Sequence, residues 1–363
     1  MVQGPLVIAQ QGYVFAGGTF KTIKGKRVLS GHLYAEFQIP EDRRSPYPVI
    51  MVHGGSQSGT NFTGTPDGRE GWAQHFLRHG YAVYVVDQVG RGRAAYNPEA
   101  YGPVRQPDSD SAQQRFVALK RQHLWPQAER HTQWPGGDAP GDPVFDQFFA
   151  SQLPTINDFT EQQQLNVPAL IALIDKIGPS ILLTHSQSGS YGWPVADARP
   201  DAIKALIQVE PSGPPFYDVG LEYVGPPDFY RTGAKSRPWG LSAIPLTYDP
   251  PASSPEELRP VQQATPDGPH LARGWFQSEP ARKLPNLMKM PILILSAEAS
   301  YHAVYDHLTV QYLEQAGVKP SFVKLADVGV RGNGHMLMLE KNNHEIAAVM
   351  MDWLEKTLPA KAR

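Results

Sequence analysis

Short apolar runs punctuate this chain at residues 49–52, 82–86, 181–184, 205–209, 292–295 and 322–325, each bounded by glycine or polar turn residues. Runs this short, with no polar alternation, suit strands buried on both faces of a parallel sheet. Residues 32–39 differ: apolar and polar positions alternate there, which predicts an antiparallel edge strand. Helical spacing falls between the runs, predicting helices over 72–79, 167–177, 189–198, 305–316 and 344–358. Strand and helix alternate through the core, so the fold class expected is α/β: a mostly parallel, doubly wound sheet with helices on both faces.

The alternation breaks twice. Residues 96–160 are rich in Gln, Pro and Trp, and residues 211–288 in Pro, Gly, Tyr and Trp; both hold many of the 35 prolines. Each follows the carboxyl end of a predicted strand, where open α/β sheets carry their sites. A single domain over 1–363 is expected, with these two segments as lid or cap insertions. Their aromatics Trp125, Trp134, Tyr223, Phe229, Trp239 and Trp275 fit two roles equally, the lining of an apolar substrate pocket or small cores of the insertions.

Composition narrows the function. A net charge of -2 and the lack of a basic cluster argue against a nucleic-acid partner. With no cysteine, disulfides, thiolate catalysis and cysteine-ligated metals are excluded. No apolar run is long enough to span a bilayer. The N-terminal text lacks the basic start and long apolar stretch of an intact signal peptide, and the compartment stays open.

The chemistry concentrates in a few places. Thr184, His185, Ser186, Gln187, Ser188 and Gly189 follow a strand and open a helix. A nucleophile elbow needs small residues two before and two after its serine, because the turn is sharp and strained. Here those residues are Thr184 and Ser188 in place of the usual glycines, and Ser186 is the candidate nucleophile. His53, Gly54, Gly55 and Ser56 follow the first apolar run, so the N–H groups of Gly55 and Gln187 are the candidate oxyanion hole. His335, between the last strand and the last helix among Gly332, Asn333 and Gly334, is the candidate base. Three carboxylates could serve it: Glu210 after one strand, Glu298 after the next, and Asp306 beyond that. Spacing does not choose between them.

The remaining histidines read as bystanders. His302, His307 and His344 suit the surface, His185 points the wrong way on the elbow, and His53 suits a structural hydrogen bond. Asp87 and Arg91 read as braces of the site floor rather than substrate contacts. No metal-binding spacing is present, and neither a metal nor another cofactor is expected.

Residues 53–59 (HGGSQSG), 65–69 (TPDGR), Gly71 and Trp72, 76–78 (FLR), Gly80 and Tyr81, Asp87 and Gln88, 90–93 (GRGR) and 185–189 (HSQSG) resemble a group of bacterial carboxylesterases of the α/β-hydrolase superfamily. The group includes esterases that de-esterify sulfonylurea herbicides, and the likeness runs from about residue 10 to the C-terminus. It implies a Ser-His-Glu triad whose glutamate follows the strand after the nucleophile, here Glu210, leaving Glu298 in reserve. It also implies the oxyanion hole at Gly55 and Gln187. Some relatives carry adjacent cysteines where this chain has Gly55 and Ser56, so that disulfide is missing here. Relatives are often exported, to the periplasm or beyond, and dimeric. The expected function is therefore a serine carboxylesterase acting on methyl or ethyl esters of bulky aromatic acids through an acyl-enzyme. The alternatives are a lactone, amide or carbon–carbon hydrolase on the same scaffold, or a non-catalytic binding module.

Overall fold

Each of the six apolar runs forms a strand. The computed structural model describes residues 4–223 and 230–358. Among these the main sheet comprises β1 (Ile8–Ile23), β2 (Lys26–Pro40), β3 (Val49–Val52), β4 (Val83–Asp87), β5 (Ser180–His185), β6 (Ile203–Val209), β7 (Ile292–Ser296) and β8 (Ser321–Lys324). Their order is β1-β2-β4-β3-β5-β6-β7-β8. Strands β3 to β8 run parallel, while β1 and β2 form a long antiparallel hairpin that joins through β4.

The continuous apolar runs have a simple cause. Alternate residues point to opposite faces of the sheet, and both faces are covered. Ile50, Val52, Leu182, Leu206 and Ile294 pack with Leu170, Leu173 and Trp193. Their neighbours Val49, Met51, Ile181, Leu183, Ile207 and Leu295 pack on the other side with Trp72, Phe76, Ile346 and Met350. The covering helices are α1 (Trp72–Arg78), α2 (Phe159–Ile177), α3 (Gly189–Ala198), α4 (Asp306–Gln315) and α5 (Asn343–Thr357).

Two expectations need correction. Residues 32–39 were expected at the sheet edge, but β2 lies between β1 and β4, and β1 is the edge. The alternation arises because the outer hairpin is covered unevenly, leaving Tyr13, Phe15 and Phe20 of β1 exposed. Helix α2 begins at Phe159, well before the expected start, with the Asp158 side chain accepting from Glu161 N–H at 2.8 Å as its cap. Its first turns escape an apolar pattern because Gln162, Gln163 and Asn166 are the buried residues there. Their amides are used: Val89 N–H donates to Asn166 Oδ1 (2.9 Å), and Ser242 Oγ to Gln163 Oε1 (2.7 Å).

The strand order places the site. From β3 the chain passes to β4 on one side, then returns to β5 on the other. Loops leaving the carboxyl ends of β3 and β5 therefore diverge from a topological switch point, where a crevice opens.

Candidate active site

At the end of β5, Ser186 adopts φ +56°. A non-glycine residue there costs about 1–3 kcal/mol and persists only where its surroundings hold it. The two hydroxyl residues that replace the usual glycines supply part of that hold. Thr184 Oγ1 donates to Gln208 Oε1 at 2.5 Å, and Ser188 Oγ lies 2.8 Å from Val52 O and accepts from His185 N–H at 3.0 Å. Gly189 is the glycine this turn cannot lose. A Cβ there would lie 2.5 Å from Pro211 Cβ and 2.6 Å from its Cα. Gly189→Ala is expected to destabilise the fold by about 1–3 kcal/mol through overpacking, read as a lowered Tm in thermal denaturation.

The loop after β3 is braced from below. His53 Nδ1 lies 2.9 Å from Gly54 O, and its Nε2 accepts from Gln88 N–H at 3.2 Å. Buried Arg91 donates to Gly54 O at 2.8 Å and to Gln187 Oε1 at 2.6 Å, tying the β3 loop to the residue after Ser186. Asp87 accepts from Gly59 N–H (2.7 Å) and Arg93 Nε (2.8 Å). The Asp87–Arg93 loop is thus a floor brace, as its sequence suggests. Gly55 and Gln187 both face the cavity described below.

Glu210 leaves β6 at φ +43° and is fully buried. Its Oε2 lies 2.5 Å from His335 Nδ1, and it accepts from Ala297 N–H (2.8 Å) and Ser300 Oγ (2.7 Å). The other two acids do not reach His335. Glu298 lies 3.7 Å from the exposed Arg331, and Asp306 lies 2.8 Å from His302 Nδ1.

His335 is walled in by rings: Phe116 at 5.6 Å and 17°, His302 at 4.7 Å and 9°, His185 at 4.6 Å and Tyr301 at 4.8 Å between centroids. His185 Nε2 also lies 3.0 Å from His335 O, so this histidine steadies the loop that carries His335. Burial, with His185, His302 and Arg115 nearby, holds His335 well below the ordinary imidazole value. Burial pushes the Glu210 carboxyl up to about 8, against the pull of His302, Ala297 N–H and Ser300.

Two residues here are missed by sequence reasoning. His302 was expected at the surface, yet it is buried, stacked on His335, and has its own carboxylate in Asp306. Burial lowers it to about 4. Tyr301 lines the cavity with Ser186, and burial raises its phenol far above its ordinary value, so it stays protonated. The one available signal was the close spacing of Tyr301, His302, Tyr305 and Asp306 after a strand. His344 is exposed as expected, while His307 is mostly buried, 3.2 Å from Asp267. Donor atoms of Glu210, His302 and His335 lie within 4.8 Å of one another and could hold a metal ion. The Nδ1 atoms of both histidines already face carboxylates.

A cavity of about 480 Å³ lies over Ser186. Gly55, Gln187, Tyr301 and His302 form its floor; Arg105, Arg115, Phe116 and Phe149 enter from residues 96–160, and Asp218 and Arg237 from residues 211–288. None of Trp125, Trp134, Trp239 and Trp275 lines this cavity, and neither of the two expected roles describes all four. Trp125 Nε1 donates to Ala299 O at 2.9 Å within a small core with Tyr301 and Leu308, whereas Trp134, on Phe148, and Trp239 join the two main cores of the sheet and Trp275 packs on Tyr217. Phe229 and the side chain of Tyr223 lie outside the described residues.

A strained serine at a strand-to-helix turn, a glycine loop beside it and a carboxylate-held histidine behind it are the furniture of an α/β-hydrolase. The alpha/beta hydrolase family model matches residues 49–349, and the chain belongs to that family. Among curated proteins it is 43% identical over 325 residues to the probable secreted lipase phiG of Fungal sp. (strain ATCC 74256), covering 89% of this chain and 86% of that one. It is also 30% identical over 202 residues to lipase LipV of Mycobacterium tuberculosis (strain ATCC 25618 / H37Rv), covering 51% of this chain and 73% of the relative. Among solved structures, a novel bacterial esterase shares the fold with a TM-score of 0.64 at 23% identity, over 98% of both chains.

Proposed function

We propose that this chain is a serine carboxylic ester hydrolase in which Ser186 is the nucleophile, His335 the base and Glu210 the acid. The observation that carries the reading is the 2.5 Å contact between Glu210 and His335 behind a strained Ser186. Ser186 Oγ attacks the ester carbonyl and its proton passes to His335 Nε2. Glu210 holds the Nδ1–H tautomer and stabilises the imidazolium. The N–H groups of Gly55 and Gln187 receive the developing oxyanion in a site with little water. His335 returns the proton to the departing alcohol, then activates the water that frees the acid from Ser186. The names of the relatives support an ester substrate. Covalent capture by a fluorophosphonate at Ser186, with hydrolysis of a short p-nitrophenyl ester, tests the reading; no labelling and no hydrolysis would overturn it.

For the substrate, we infer a small-alcohol ester, methyl or ethyl, of a bulky aromatic acid, and sulfonylurea herbicide esters are one test set. Phe116, Phe149, Phe159 and Tyr305 on the cavity wall support an aromatic acid. A ladder of aryl and alkyl esters checks this, and a preference for long-chain alkyl acids would refute it.

Two further results are expected. A base held below 6.5 stays unprotonated as the pH falls through that value. The acid limb of kcat/KM should therefore lie below the ordinary imidazole range, with His335 and Glu210 titrating as one unit. Arg91→Ala should lower kcat about 10²-fold with a small change in KM, because it frees Gly54 and Gln187, the supports of the oxyanion donors. Steady-state kinetics across pH checks both.

A further inference from the structure

We propose that the cavity selects esters bearing a negatively charged group away from the scissile carbonyl, and that Arg115 receives that group. The proposal rests on the ester-hydrolase reading and adds the substrate class. Three guanidinium groups, Arg105, Arg115 and Arg237, line the cavity against two carboxylates, Asp108 and Asp218. Both carboxylates are engaged. Asp218 pairs with Arg237 at 2.6 Å and accepts from Ser236 Oγ at 2.5 Å. Asp108 accepts from Ser111 N–H at 2.7 Å, and its charge interacts with Arg105. Neither Arg105 nor Arg115 has a carboxylate within ion-pair distance among the described residues, and of the two Arg115 is the one whose charge reaches Tyr301, His302 and His335.

Local geometry sends Arg115 to this place. Residues Gln113–Val117 form a π-helical turn that continues the helix Ser109–Ala112. Such turns are rare and concentrate at functional sites, because the wider turn re-aims consecutive side chains. Here Phe116 stacks on His335 while its neighbour Arg115 lines the cavity, close enough for its charge to act on Tyr301, His302 and His335.

An anionic ester matches this wall and a long alkyl chain does not. Alkyl carbons against Arg115 would strip water from a guanidinium and return no hydrogen bond. A carboxylate or sulfonate would return a charge-assisted, two-pronged one.

The test compares monomethyl adipate with its neutral isostere, the methyl ester of adipic acid monoamide, on wild type, Arg115→Gln and Arg115→Lys. Wild type should prefer the anion by about tenfold or more in kcat/KM, chiefly through KM. High salt should erode the preference. Arg115→Gln should bring the ratio of the two substrates near one, and Arg115→Lys should keep part of the preference. Because each preparation supplies its own ratio, a loss of folded protein does not mimic the effect. Equal or better use of the neutral isostere by wild type, or an unchanged ratio in Arg115→Gln, would overturn the proposal and leave the ester-hydrolase reading standing. Failure of wild type to cleave either ester or a p-nitrophenyl ester would sink both.

Discussion

Ser186→Ala is expected to lower kcat for a short p-nitrophenyl ester about 10⁴–10⁶-fold, leaving the residual rate that binding and oxyanion donors alone provide. The size follows from the mechanism: without the hydroxyl there is no acyl-enzyme, and His335 has nothing to deprotonate. Ser188→Ala is the informative control, since Ser188 sits in the same turn. Its Oγ is committed to Val52 O and His185 N–H and faces away from the cavity floor. That variant should lose stability by about 1 kcal/mol and keep most of its rate. Stopped-flow kinetics with fluorophosphonate labelling of both variants measures the contrast. Full activity in Ser186→Ala would remove the nucleophile assignment outright.

Glu210→Gln should cost about 10³–10⁴ in kcat, the loss seen when the acid of a triad becomes an amide and the histidine takes the wrong tautomer. The shape of the side chain is kept, so the fold should survive. Glu298→Gln should change kcat less than twofold, because Glu298 faces Arg331 at 3.7 Å rather than His335. Measuring the two side by side, with thermal melts, separates the acids. A larger loss in Glu298→Gln would move the acid to the loop after β7.

The legibility of the fold varied with how local its cause is. Strands β3 to β7 show in the text because both their faces are buried, so a few consecutive apolar residues announce each one. Helix α5 shows because its buried residues recur at helical spacing, whereas α3 is buried on all sides and shows no polar face. Strand β1 does not, since it lies at an edge with Tyr13, Phe15 and Phe20 in solvent, and its apolar residues mark no buried face. The start of α2 was hidden for the opposite reason: it buries amides, which read as polar surface until their partners across the fold are known.

The site divides in the same way. The sequence by itself determined the chain order of the glycine loop, the serine, the candidate carboxylates and the histidine, and the turn chemistry that places Ser186 and Gly55 after strand ends. Residue type and neighbouring text suffice for that. It left three carboxylates equivalent to spacing, and only the family resemblance favoured Glu210. The tertiary structure decided the pairing: Glu210 meets His335 across 125 residues of sequence, Asp306 meets His302, and Glu298 meets neither histidine. It also decided that Trp125 joins a small core, that Trp134 and Trp239 join the main cores, and that Arg115 faces the cavity. Element type follows from local periodicity and turn residues, whereas which side chains meet depends on strand order and on the path of the insertions. Those are set by the packing of the whole chain.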